Sequence, residues 1–179
     1  MFGCASLEVP TDMNVKRLSY ELESFEFSGR VSFKQAGKGS SGNIQWQKKG
    51  VDTDITLSSP VGDTVATIQS VPGEVTLSLA DKRQFRAEDA ETLTKKILGY
   101  TVPLKELNQW VLGQPNPFSK AEQTIYPNGL IEKFVQDGWL VKYTAYAEVN
   151  GVQMPKRLVV QGMDLEIRLV IDQWKFDSK

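Results

Sequence analysis

The side chains that ordinarily carry proton transfer and covalent catalysis at neutral pH are scarce in this 179-residue chain, which has no histidine and a lone cysteine, Cys4. Without imidazole the chain lacks the one side chain whose ordinary pKa lies near neutrality. It also lacks the usual base for activating a serine or cysteine nucleophile and the commonest nitrogen ligand for zinc. Carboxylate chemistry is what remains. Asp52 and Asp54 are two residues apart and so share one face of a strand, a spacing a carboxylate-based hydrolase could use. Two solvated acids beside a turn make the same pattern without any chemistry, and that is the reading adopted. No enzyme and no metal site is therefore expected. The residues in surplus are those that act by burying surface: 40% of the chain is hydrophobic, with four tryptophans and eight phenylalanines.

Charge excludes further classes. Twenty-one basic residues meet twenty-two acidic ones for a net charge of −1, and the basic pairs Lys48–Lys49, Lys95–Lys96 and Lys156–Arg157 are scattered. Nothing in this balance predicts binding to nucleic acid. No stretch of about 18 apolar residues is present, so no helix is expected to span a membrane.

The elements that would position any site are mostly strands. Residues 5–13 are small and polar and read as a tether, giving an N-terminal segment 1–14 ahead of one domain over 15–179. Val15, Leu18 and Leu22 fall at helical spacing. From Phe25 to Phe33 the odd positions are apolar except Gly29, which marks a half-buried strand with a bulge or close approach at the glycine. A turn is expected over 37–42, then alternation at Ile44 and Trp46 and at Ile55 and Leu57. The turn Ser59–Asp63 leads to a strand over 64–69, and Pro72–Gly73 opens another with Val75, Leu77 and Leu79 on one face, followed by a short strand at Phe85.

Two helices interrupt. Asp89 is suited to cap a helix over 89–98, with Ala90, Leu93 and Ile97 on one face and Gly99 as its stop. Pro103 is suited to open a second, whose Leu104, Leu107 and Val111 line one side and which Gly113 ends. Period two then returns. Ile131, Lys133 and Val135 alternate with Leu130, Glu132 and Phe134, and Trp139, Val141, Tyr143 and Ala145 form a further face. Strands at 156–161, 165–171 and 173–176 complete the run, with hairpin turns expected at Asn150–Gly151 and Gln161–Gly162. Ten or eleven short strands in two runs, with helices between, predict a large antiparallel sheet curling into a barrel with the helices over one mouth. The same alternation fits a hollow or a filled interior, and the pattern alone favours a filled one, since most small barrels are packed solid.

Several segments, in order, resemble the LolB family: Ser59-Pro60-Val61-Gly62, Ala87-Glu88-Asp89-Ala90-Glu91, Val102-Pro103-Leu104 with Leu107, Gln109-Trp110-Val111-Leu112-Gly113, Gln136-Asp137-Gly138-Trp139, Met154-Pro155 and Ile171-Asp172-Gln173-Trp174. The resemblance covers about residues 15–176. It implies a half-closed antiparallel β-barrel of about eleven strands with a short helical lid over a hydrophobic cavity. It also implies an outer-membrane receptor that accepts triacylated lipoproteins from the periplasmic carrier LolA and inserts them into the inner leaflet of the outer membrane without a cofactor; a monomer suits such a handover. LolA shares the fold but has no lipid anchor.

On that resemblance Cys4, preceded by Gly3, ends a lipobox and is the acylated anchor at the periplasmic face of the outer membrane. Three residues are too few for an export signal, so the native precursor is expected to carry one upstream. Pro60, Val61 and Gly62 correspond to a loop whose protruding leucine is needed for release into the membrane. Valine is one methylene shorter, worth about 0.8 kcal/mol of burial. The lipid cavity would draw on Phe27, Val31, Phe33, Ile44, Trp46, Leu57, Leu77, Trp110, Trp139, Val141 and Trp174, and the lid on Leu93, Ile97, Leu104, Leu107 and Val111. Each of these could equally be ordinary core. Two other binding readings stay open: a periplasmic barrel for a different small hydrophobic ligand, and a structural outer-membrane lipoprotein with a solid interior.

Overall fold

A computed structural model describes residues 22–176, so Cys4, the tether and nearly all of the helix expected at 15–24 lie outside the described residues. The chain forms β1 (Ser24–Gln35), β2 (Lys38–Lys49), β3 (Asp52–Ser58), β4 (Thr64–Val71), β5 (Glu74–Leu79) and β6 (Gln84–Ala87), then α1 (Ala90–Leu98) and α2 (Leu104–Trp110). The second run is β7 (Ala121–Ile125), β8 (Ile131–Gln136), β9 (Trp139–Val149), β10 (Val152–Gly162) and β11 (Leu165–Lys175). All eleven strands join one sheet in the order β6-β5-β4-β3-β2-β1-β11-β10-β9-β8-β7. The pairings are antiparallel throughout, and the first run meets the second where β1 pairs with β11. Because β6 and β7 are not paired with each other, the sheet stops short of a closed barrel, as the half-closed expectation requires.

Alternation builds this sheet. In β11, Leu165, Ile167, Leu169 and Ile171 are all buried while their neighbours are not. The same rule sends Phe25, Phe27 and Val31 of β1 and Trp139, Val141 and Tyr143 of β9 to the inner face. Hairpins define two rims. The turns β1–β2, β3–β4, β5–β6, β8–β9 and β10–β11 lie on one rim, here the upper, and β2–β3, β4–β5, β7–β8 and β9–β10 on the other.

Gly29 shows both features expected of it. The β1–β11 register shifts between Ser28 and Gly29, and a Cβ on Gly29 would stand 2.0 Å from the Val170 carbonyl oxygen. Pro155, which has no N–H to give the ladder, sits at a second register shift, between β9 and β10.

Four local expectations are corrected. The turn expected over 37–42 is only Ala36–Gly37: Lys38 to Gly42 continue β2 in register with β1. The glycine at 42 is needed there because Ser58 of β3 brings its carbonyl oxygen within 2.2 Å of where a Cβ would be. The β10–β11 turn is Met163–Asp164, both at positive φ, and not Gln161–Gly162. Gly162 pairs with Leu165 inside the ladder, and a side chain on it would meet the Trp139 ring at 2.8 Å. In β8 the inward residues are Phe134 and Gln136, with Val135 outside; the register shift opposite Ile125 brings Ile131 inward as well. Gln173–Phe176 is no separate strand, since β11 runs unbroken to Lys175.

Replacing Gly29 by alanine is expected to cost about 1–3 kcal/mol, because the backbone it would strike cannot yield as a side chain would. Gly39→Ala, whose Cβ would find only an ordinary 3.5 Å contact, is expected to stay within about 0.5 kcal/mol of the parent. Urea midpoints of the two variants at equal m-value make the comparison.

Candidate functional site

The inner face gathers the residues expected to line it. Phe27, Val31, Ile44, Trp46, Leu77, Trp110, Trp139 and Val141 lie buried in one apolar cluster, with Phe33, Leu57 and Trp174 half-buried on its margin. Of the residues assigned to the lid, Leu93, Leu104, Leu107 and Val111 are buried in the same cluster and Ile97 packs at its edge. Aromatic rings knit the lower middle of the sheet: Phe27 stands 5.5 Å from Trp46 and 5.1 Å from Trp174, centroid to centroid. Asp52 and Asp54 are exposed on the outer face, beside buried Thr53 and Ile55, which is the solvated reading. Among the described residues no acidic or cysteine cluster could hold a metal ion.

The two helices are held very differently. α2 is bolted to both halves of the sheet. On one side Asn108 accepts from Trp46 Nε1 at 3.2 Å and donates to Thr53 Oγ1 at 3.3 Å. On the other, Tyr143 donates its hydroxyl to the Trp110 carbonyl at 2.6 Å; burial holds the Tyr143 pKa well above the usual tyrosine range, so this donor keeps its proton. Buried Gln136 completes the attachment. Its Oε1 accepts from Trp110 Nε1 at 3.0 Å and from the Asn116 N–H at 2.8 Å, and its Nε2 donates to the carbonyls of Asn116 and Ser119. Both atoms of the amide are thus fully used at a buried position, where an unpaired polar group would be expensive.

α1 has a sound helix and few anchors. Asp89 caps it by accepting from the Thr92 N–H at 2.7 Å, a bond that also holds the Asp89 pKa below its ordinary value. Gly99 ends it in the left-handed region, as expected. Leu93 and Ala90 press toward β5 and β6. Its polar tie to the segment leading into α2 is Thr94 Oγ1, accepting from the Val102 N–H at 3.0 Å.

Coverage of the inner face is uneven. Toward the lower rim Phe25 and Val75 are buried, while Val149, Trp174 and Phe176 at the ends of β9 and β11 are partly covered. Toward the upper rim, in the β1–β6 half, Phe33, Leu57, Ile68, Leu79 and Phe85 face the same cluster yet are only partly covered. Leu57, Ala66 and Leu79 are register partners across β3, β4 and β5, and Ile68, Leu77 and Phe85 across β4, β5 and β6. Half-covered Leu57, Ile68, Leu79 and Phe85 thus lie in adjoining rows with the buried Ala66 and Leu77, beneath the β3–β4 loop.

That loop carries Pro60, Val61 and Gly62. Val61 is 86% exposed. The backbone around it is tied: Ser59 N–H donates to the Asp63 carbonyl at 2.7 Å, Gly62 N–H to the Ser59 carbonyl at 2.9 Å, and Asp63 N–H to Ser59 Oγ at 3.2 Å. The loop presents its isopropyl group to solvent on an ordered support.

The alternation points to Gln136, the inward neighbour of Phe134 in β8, as a polar residue on an apolar face. It points likewise to Thr53, in step with Ile55 and Leu57 in β3, whereas Asn108 and Asn116 gave no such signal. Replacing Gln136 by leucine would leave the Trp110 and Asn116 N–H groups buried without acceptors. At about 1–3 kcal/mol for each orphaned group, the expected loss is roughly 3–5 kcal/mol in urea unfolding. A loss under about 1 kcal/mol would show that water replaces the amide.

The comparisons with known proteins converge on one family. Residues 23–174 match the family described as "Outer membrane lipoprotein LolB". The chain is 36% identical to the outer-membrane lipoprotein LolB of Pseudomonas paraeruginosa, over 97% of this chain and 89% of that protein. It is likewise 36% identical to LolB of Stutzerimonas stutzeri, over 86% of this chain and 75% of that one. Among solved structures, a LolA superfamily protein from Nitrosomonas europaea superposes with a TM-score of 0.55 at 8% identity, covering 92% of each chain. A DUF1329 family protein from Desulfovibrio piger gives 0.55 at 10% identity, covering 89% and 90%. These two likenesses concern the fold alone. With the family match spanning most of its length and curated relatives above 30% identity, this chain belongs to the LolB family of outer-membrane lipoproteins.

Proposed function

We propose that the chain receives the acyl chains of lipoproteins from a LolA-like periplasmic carrier, holds them against the inner face of its open sheet, and releases them into the inner leaflet of the outer membrane. Membership of the LolB family supports outer-membrane lipoprotein localisation as the general role. The observation that carries the finer reading is the half-covered apolar wall of Phe33, Leu57, Ile68, Leu79 and Phe85, toward the rim that bears the exposed Val61. A small globular protein gains nothing in stability from leaving that wall uncovered.

The physical demand is severe. Each methylene withdrawn from water is worth about 0.8 kcal/mol, so three fatty tails put tens of kcal/mol against free passage through an aqueous compartment. Transfer must keep the tails covered, and a gradient of affinity from carrier to receptor to bilayer supplies the direction. No bond is made or broken, and no catalytic group enters this reading. Because α2 is fixed by Asn108, Gln136 and Tyr143 while α1 is lightly tied, α1 with Leu93 and Ile97 is the part of the cover that yields. α2, with Leu104, Leu107 and Val111, acts as a plug. Cys4 supplies residence at the membrane through its acyl chains, since burying Val61 alone is worth only about 1.5–3 kcal/mol. The receptor works as a monomer.

Two substitutions separate holding from release. Leu79→Asp places a charge on the half-covered wall and is expected to lower binding of a spin-labelled fatty acid at least tenfold, with circular dichroism and melting temperature as the check on folding. Val61→Glu is expected to leave that binding within twofold. In a carrier-to-vesicle transfer assay it should slow delivery of lipoprotein by about ten- to a hundredfold, the range set by losing one buried apolar side chain. A parent protein that binds no fatty acid would overturn the reading in favour of a solid structural barrel. Fatty-acid binding with delivery unaffected by Val61→Glu would favour a carrier of a different hydrophobic ligand.

A further inference from the structure

Among the described residues, four large apolar side chains are more than two-thirds exposed: Phe118 at 91%, Val61 at 86%, Val51 at 75% and Met163 at 69%. Three of the four belong to the upper rim. Val61 is in the β3–β4 loop and Met163 in the β10–β11 turn. Phe118 precedes β7 at the end of that strand which pairs with Gln136, and Ser119 donates to Asp137 of the β8–β9 turn at 2.7 Å. Val51 occupies the opposite rim, in the β2–β3 turn.

None of the three tips is exposed because its backbone is loose. Phe118 rises from a turn that Gln136 and Asn116 fasten: the Gln136 amide donates to the Asn116 and Ser119 carbonyls, and the Phe118 N–H donates to Asn116 Oδ1 at 3.0 Å. Met163 stands at φ +50 in a two-residue hairpin, where asparagine or glycine is the residue the backbone favours. Folding therefore gives no reason for methionine there. The Val61 loop is held by its Ser59, Gly62 and Asp63 hydrogen bonds.

Their spacing decides what they fit. Along the sheet, the β3–β4 and β10–β11 hairpins are four strand positions apart, about 19 Å of arc at the usual strand separation. Phe118 lies three to four positions beyond Met163, another 17 Å or so of arc. Between them the rim carries Lys38, Asp63, Asp137 and Asp164 at its turns, and beyond Val61 the β5–β6 turn carries Lys82 and Arg83. A protein partner is normally met by a contiguous apolar centre with a polar border, which three separated tips do not make. A bilayer has no shape to match, and accepts isolated apolar side chains through a polar headgroup layer.

We propose that Val61, Phe118 and Met163 together form a three-point contact with the surface of a phospholipid bilayer, seating the upper rim flat on the membrane. The proposal rests on the release reading of Val61 and extends it: three points spread around a curved rim fix the tilt of the barrel, whereas one point leaves it free to swing. Flat seating holds the half-covered Leu57–Leu79 wall toward the lipid, because that wall is on the side of the same rim.

The test uses the full chain with Cys4→Ser and one new cysteine at a time, Val61→Cys, Phe118→Cys, Met163→Cys or Val51→Cys, each labelled with an environment-sensitive nitrobenzoxadiazole fluorophore. Vesicles of phosphatidylethanolamine and phosphatidylglycerol are added. The expected result is a blue shift with a severalfold rise in emission at 61, 118 and 163 and none at 51. Phe118→Asp and Met163→Asp, in the unlabelled protein, are expected to weaken vesicle binding about fivefold each. A shift at 61 alone overturns the three-point contact and leaves the release reading standing. Equal shifts at all four positions overturn it as indiscriminate adsorption. Shifts at 118 and 163 produced by a LolA-like carrier, and not by vesicles, overturn it by assigning them to the carrier. No shift at any position overturns this proposal and the release reading together.

Discussion

An antiparallel sheet of eleven strands that stops before closing has an apolar concave face and no partner sheet to cover it. That constraint governs the rest of the molecule. A closed barrel would remove both edges and fill its middle with its own side chains. Here β6 and β7 remain edges, and the chain between them has to serve as the cover. It does so with two short helices, each too short to be stable alone in water. They persist because they bury one face on the sheet and because the polar groups that go under with them are paired. The Gln136 amide is the centre of that pairing, meeting Trp110, Asn116 and Ser119 at once.

Coverage of this kind is uneven by construction. α2 reaches both halves of the sheet, through Asn108 on one side and Trp110 with Tyr143 on the other, and its partners there are buried. α1 touches β5 and β6 and is tied to α2's leading segment through Thr94. The same sheet therefore contains a packed half, which supplies stability, and a half-covered one, which leaves apolar surface available. Fully buried and half-covered apolar residues occur in different parts of the one inner face.

Much of this was legible in the sequence, and the illegible parts share a cause. Alternation found β1, β9 and β11 with the correct inward faces, and Asp89 and Gly99 bounded α1 correctly, because burial on one face and capping are local rules. β7 went unseen because it is an edge strand with four of its five side chains exposed, so it carries no alternation to read. The turn at Met163–Asp164 was displaced onto Gly162, the stronger turn signal, although that glycine answers to the Trp139 ring on the neighbouring strand. In β8 a register shift put Ile131 inward with Phe134 against strict alternation. Of the candidate site, alternation indicated which residues face inward, and the resemblance to the LolB family pointed to the Val61 loop. Asn108 and the tip at Phe118 could not be read in this way, since each depends on which distant strand the fold brings alongside.

The placement of the half-covered wall bears on how an uncatalysed handover could be fast. Suppose the rim only approached the bilayer, and four methylenes on each of three tails had to cross water in the gap. At about 0.8 kcal/mol per methylene the barrier would rise by about 10 kcal/mol, slowing transfer roughly ten-million-fold. No lid motion recovers such a factor, because the cost lies in the water and not in the protein. In the proposed handover the rim therefore touches the lipid, with the half-covered wall against the surface. A receptor held only by its lipid anchor satisfies the first condition and leaves the second to chance. In the proposed three-point contact, the exposed tips Val61, Phe118 and Met163 on one rim would satisfy both.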